Sequence, residues 1–146
     1  MRFWDTSALV PLFLSETTSP AAVGALTVDR EIVVWWATPI ECLSAIARAE
    51  RDGRIVPSAV PDAVAALGLL RTAWLEMDAT SRLRDIAERL VRTHSLRAAD
   101  AQQLAAATIA SEDRPAGLPF VTLDERLAMA AEREGFPVFR FDRPSA

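Results

Sequence analysis

Five short apolar runs are spaced along this chain, and longer stretches separate them. The runs are Phe3-Trp4, Ile32-Val33-Val34-Trp35, Trp74-Leu75-Glu76-Met77, Phe120-Val121-Thr122-Leu123 and Val138-Phe139-Arg140-Phe141. Brief segments dominated by β-branched and aromatic side chains are the signature of buried strands. Between them the spacing turns helical. Val60, Val64, Leu67 and Leu70 recur every three or four residues, as do Leu83, Ile86, Leu90 and Val91, then Leu104, Ala105, Thr108 and Ile109. A further helix is predicted from Pro39 to about Asp52. Gly53, Pro57, Pro115, Gly117, Pro119 and Gly135-Phe136-Pro137 supply the stops. Buried strands alternating with helices predict an α/β fold. Its central parallel sheet of about five short strands has right-handed crossovers and helices on both faces, a three-layer αβα arrangement. At 146 residues, with no linker or repeat, residues 1–146 form one domain.

In such a sheet ligands bind beyond the carboxyl ends of the strands. Four acids fall there. Asp5 closes the first run and Asp124 the fourth. Glu41 follows the second run, three residues after Thr38. Asp100 opens the alanine-rich helix after Leu96-Arg97-Ala98-Ala99. Each has a purely structural explanation. Asp5 and Asp124 suit helix N-caps. Thr38-Pro39-Ile40-Glu41 matches a capping box with proline at the first helical position. Asp100 in a first turn favours the helix dipole. Four carboxylates at one sheet edge, however, repel one another. A hard divalent cation, Mg²⁺ or Mn²⁺, relieves that repulsion through oxygen ligands.

Composition removes most competing chemistries. All 16 basic residues are arginine, and the chain has one histidine, His94, and one cysteine, Cys42. Without lysine there is no P-loop and no Schiff base. Thiol-rich zinc sites, paired-histidine nucleases and an intrachain disulfide are excluded as well. No G-x-S-x-G elbow is present. An acid at position 5 interrupts any leader core, and no run of about 18 apolar residues could span a membrane. The single cysteine suits a reducing compartment. The expected location is cytoplasmic.

Four blocks carry a family resemblance: Phe3-Trp4-Asp5-Thr6-Ser7-Ala8-Leu9-Val10, Glu41-Cys42-Leu43-Ser44-Ala45-Ile46-Ala47-Arg48, Leu96-Arg97-Ala98-Ala99-Asp100-Ala101 and Phe120-Val121-Thr122-Leu123-Asp124-Glu125-Arg126-Leu127. In this order and spacing the chain resembles PIN-domain ribonucleases along nearly its whole length, specifically the toxins of VapBC-type toxin–antitoxin pairs. The resemblance implies an acidic site of Asp5, Glu41, Asp100 and Asp124, supported by Thr6 and Thr122. Asp5, Asp100 and Asp124 would hold one or two Mg²⁺ or Mn²⁺ ions, with Glu41 near the attacking water. It implies endonucleolytic hydrolysis of RNA to 5′-phosphate and 3′-hydroxyl ends. It also implies a homodimer and a small antitoxin whose C-terminal segment crosses the active-site groove. Many relatives carry histidine three residues after the third acid. Here Gln103 stands there, and an amide cannot shuttle a proton.

Other residues admit two readings. Arg48 shares a helix face with Glu41, two turns or about 10 Å on. It either reaches a phosphate beside the scissile one or pairs with Asp52 at i+4. Arg97 and Arg126 read as charge-balancing. His94 reads as a packed or helix-terminal histidine and Cys42 as a buried small residue. Of Trp35 and Trp36, at least one belongs to the core. The formal charge of −4 looks adverse to a nucleic-acid partner. Setting aside the four site acids leaves 16 acids against 16 arginines, so the whole excess equals the site, and two divalent cations would cancel it. Two alternatives remain open: a structure-specific DNA nuclease of the same fold, and a non-catalytic PIN-like module that binds protein partners.

Overall fold

A computed structural model describes residues 1–141. Its five strands are β1 (Arg2–Trp4), β2 (Ile32–Trp35), β3 (Trp74–Met77), β4 (Phe120–Val121) and β5 (Val138–Phe139). They form one sheet in the order β3-β2-β1-β4-β5, and every pairing is parallel. Seven α-helices make the crossovers: α1 (Thr6–Leu9), α2 (Ser19–Val28), α3 (Thr38–Arg51), α4 (Val60–Arg71), α5 (Ser81–Thr93), α6 (Ala98–Ala110) and α7 (Glu125–Arg133). Among the described residues no helix is long and apolar enough to cross a membrane.

Strand alternation sorts the core into two halves. Phe3, Val33, Trp35 and Phe120 point to one face and pack on α5, α6 and α7 through Leu83, Leu90, Leu104 and Leu127. Trp4, Ile32, Val34 and Val121 point to the other and pack on α1–α4 through Leu9, Ile46 and Leu67. The expected three layers follow directly. On the first face Phe3 stacks on Phe120 with ring centroids 5.3 Å apart. Helix α6 buries Ala101, Ala105, Ala106 and Ala107 completely. Its small side chains let the backbone approach the sheet closely, which brings its first turn to the sheet edge.

Two strands are shorter than predicted. β4 ends at Val121 rather than Leu123 because hydroxyls take over the next backbone groups. The Leu123 amide donates to Ser7 Oγ at 2.9 Å and the Asp124 amide to Thr122 Oγ1 at 3.0 Å. With β4 cut short, β5 has no ladder partner past Phe139, so Arg140 and Phe141 lie outside it. His94 is, as expected, a buried helix-terminal residue, which ends α5 in extended conformation. The predicted stops at Gly53 and Gly135 hold. Both adopt positive φ, +70° and +93°, and the amides that follow reach back to Ala49 and Ala131, closing α3 and α7 in the manner only glycine makes easily.

Candidate active site

The chain steps from β1 outward to β2 and β3, then returns to the other side of β1 for β4 and β5. The direction reverses between β1 and β4, so a crevice opens beyond their carboxyl ends. Asp5 stands at its floor. Its amide donates to Val121 O at 3.1 Å, continuing the ladder. Its carboxylate accepts from Ser7 Oγ at 2.9 Å and from the Ala8 amide at 3.4 Å. Asp5 is 5% exposed, and burial pushes its carboxyl up to about 7. The hydroxyls of Ser7 and Thr122 pull the other way without prevailing. Asp5 therefore does cap α1, yet a cap has no need of a buried, poorly solvated acid.

Glu41 reaches the crevice from the first turn of α3. The anticipated capping box does not form. Ala37 is the N-cap, Thr38 lies inside the helix, and its buried hydroxyl has no partner. Glu41 is thereby free to point away. Its Oε2 accepts from Thr6 Oγ1 at 2.7 Å and from Gln103 Nε2 at 3.0 Å, and Gln103 Nε2 also donates to Thr6 Oγ1 at 3.0 Å. Gln103 is 2% exposed and lies on α6 one turn past Asp100. A buried amide thus ties the first three acid-bearing elements together. Sequence reading noted only its departure from histidine. A glutamine at i+3 from Asp100, on an otherwise alanine and leucine face, was the available signal.

Asp100 is half-buried in the first turn of α6. Its carboxyl is raised chiefly by burial and then by the charge of Asp124, while Arg97 and Arg126 oppose the rise. Asp100 and Asp124 therefore face one another, and both arginines balance charge as expected. Asp124 is exposed and caps α7, accepting from the Leu127 amide at 2.8 Å. Thr122, fully buried, bridges Asp5, Ser7 and the Asp124 amide. Ser7 was quoted in the sequence only as part of a motif, although Asp-x-Ser is a familiar local hydrogen-bonding pattern. The Cys42 thiol is pushed up to about 12 by burial and by the nearby Glu41 and Asp5 charges, so it is inert.

Glu41 is bonded, among the described residues, to Thr6, the neighbour of Asp5, and to Gln103 on α6, while Asp100 feels the charge of Asp124. Among the described residues no group of three acidic, histidine or cysteine side chains is placed to hold an ion by itself. Arg48 is exposed on α3. Its supposed partner Asp52 lies instead 4.0 Å from Arg54, and no ion pair to Arg48 occurs among the described residues.

The all-parallel five-stranded sheet with helices on both faces is a three-layer α/β fold. The PIN domain family model matches residues 2–143, and the chain belongs to the PIN family, a family of nucleases. No curated protein matches the sequence. Three solved structures share the fold. PAE2754 from Pyrobaculum aerophilum is 18% identical, with a TM-score of 0.70 over 97% of this chain and 90% of that one. FitAcB from Neisseria gonorrhoeae is 17% identical, with a TM-score of 0.64 over 95% and 96%. FitAB bound to an IR36 DNA fragment is 18% identical, with a TM-score of 0.62 over 100% and 99%.

Proposed function

We propose that this PIN domain is a metal-dependent endoribonuclease, acting in the cytoplasm as the toxin of a VapBC-type toxin–antitoxin pair. The observation that supports this reading is that Asp5 directly follows β1 and Asp124 follows β4, Glu41 is bonded to Thr6 and Gln103, and Asp100 feels the charge of Asp124. The resemblance of the four sequence blocks supplies RNA as substrate, a small antitoxin as partner and a homodimeric state.

The donor set fits a hard cation. The carboxylates proposed for the site are oxygen donors, and Asp5 is a buried carboxylate whose charge burial disfavours. Asp5, Asp100 and Asp124 would hold Mg²⁺ or Mn²⁺. Among the described residues no three acids are placed to enclose an ion, so water would complete the shell, as Mg²⁺ prefers. When bound, the metal lowers the pKa of its water and offsets charge on the phosphate. Glu41 accepts a proton from the attacking water at Oε1, because its Oε2 already accepts from Thr6 and Gln103. Thr6 and Thr122 orient the acids. Arg48, unpaired and two turns from Glu41, takes a phosphate beyond the scissile one.

The test is cleavage of labelled single-stranded RNA with Mg²⁺, with EDTA, and by variants. DNA of the same sequence is the control, since the similar FitAB structure is bound to DNA. Asp5→Asn should abolish cleavage, and Glu41→Gln should lower it about a hundredfold or more. Cleavage that survives EDTA or Asp5→Asn overturns the proposal, and preference for the DNA control moves the substrate.

A further inference from the structure

A cavity opens on the α5–α6 face of the sheet. It measures about 680 Å³, well within the size range of small-ligand sites. Its floor is apolar, made by Trp35, Leu83 and Ala87. Trp36 stands on its wall with 51% of its surface exposed. Trp35 meets it edge-on, with ring centroids 6.3 Å apart. The indole N–H of Trp35 is buried and has no partner.

The rim is charged. Arg84 and Arg92 both line the cavity, separated by Glu88. Other arginines of α5 are engaged, Arg82 by Asp113 and Arg89 by Glu134. No ion pair involves Arg84 or Arg92 among the described residues. The cavity is also continuous with the candidate active site through the chain. Trp36 and Ala37 lead into α3, which carries Glu41. Ala98 and Gln102 line the opposite wall from α6, one turn apart on the face of that helix turned away from Asp100.

An exposed indole over an apolar floor, flanked by unpaired guanidiniums, is the chemistry that receives a nucleobase and its phosphate. A duplex keeps its bases stacked and offers none to such a cavity. Resting on the nuclease reading above, we propose that this cavity is a base-binding subsite for single-stranded RNA. A base near the cut stacks on Trp36, and Arg84 and Arg92 hold the adjoining phosphates.

The experiment pairs binding with cleavage. Anisotropy of a labelled single-stranded oligoribonucleotide in EDTA gives Kd without turnover, and steady-state cleavage with Mg²⁺ gives KM and kcat. Trp36→Ala should raise Kd and KM about tenfold, as expected for loss of one stacked base, with the effect in KM rather than kcat. Trp36→Phe should restore most of the loss. Arg84→Gln should flatten the dependence of binding on salt by about 0.7 in log–log slope. Wild-type binding to the same sequence as a duplex should be much weaker. Trp36 lies on the surface, so a melting curve verifies that its variants fold. Unchanged Kd and KM in Trp36→Ala, with cleavage intact, overturns the subsite and leaves the nuclease standing. So does a Trp36→Ala protein that cleaves normally but loses its oligomeric state in light scattering, which would make the face a protein interface. A wild-type protein that neither binds nor cuts RNA overturns the nuclease reading and this inference together.

Discussion

Gln103 shows how one side chain can organise a site made of distant segments. Its amide donates to Thr6 and to Glu41, residues 97 and 62 positions away. Substituting Gln103→Leu removes both bonds at nearly constant volume. Each buried hydrogen bond contributes about 1 kcal/mol net, so kcat should fall about tenfold through misplacement of Glu41, while KM stays near its original value. Equal losses in KM and kcat would deny Gln103 this positioning role. Asp5 presents the opposite trade between stability and use. Its ordinary carboxyl value of 3.8 rises to about 7 on burial, so the folded state holds the proton more tightly than the unfolded one. In metal-free protein, stability should therefore decline as pH rises from about 4 to 7 and then level off. Asp5→Asn should remove this decline and raise the melting temperature at pH 8 in EDTA by about 5 °C. Calorimetry across pH checks it, and a variant that melts lower than wild type contradicts it.

Helices α5 and α7 meet away from the site, and a polar cluster joins them. His94 lies 2.7 Å through Nε2 from Glu134 Oε1, and Arg89 donates to both Glu134 oxygens at 3.1 and 2.7 Å. Arg89, and to a lesser degree His94, hold the Glu134 carboxyl below its ordinary 4.5 despite burial. A lowered acid value contributes stability that is present above the unfolded value and lost as pH falls through the folded one. Because Arg89 is half exposed, solvent screens its share, and the buried His94 bond matters more. Glu134→Ala should cost about 1–3 kcal/mol at pH 7 by stranding His94 Nε2. That difference should shrink below pH 4. Urea denaturation at both pH values reads it directly, and a constant difference would refute the linkage. At this scale the helices α4, α5 and α6 were legible because their apolar residues keep helical spacing. The ends of β4 and β5 were not, since Ser7 and Thr122 capture backbone groups from segments that sequence reading cannot see as neighbours.

For the molecule as a whole, the four acids proposed for the site equal in number the formal excess of negative charge. Binding of a divalent cation to the folded state alone must stabilise it by mass action. Titrating Mn²⁺ should raise the melting temperature progressively, and Asp5→Asn or Asp100→Asn should blunt that response. A wild-type melting temperature indifferent to Mn²⁺ would count against a built cation site. Apolar runs, helical spacing and strand-end acids are local properties, and from them came the sheet, its parallel sense, its layers and the proposal of the four acids. Local patterns govern which face of each element is buried, because alternation of period two or 3.6 maps onto one side of a strand or helix. What the chain order could not contain was how the segments carrying those acids meet. The sheet order placed Asp5 between Glu41 and Asp124, the small residues of α6 let Asp100 and Gln103 reach the crevice, and the failure of the Thr38 capping box released Glu41 into it. Those outcomes depend on contacts between residues tens of positions apart, and hydrogen bonds over such separations are settled only when the packed layers bring their partners within 3 Å.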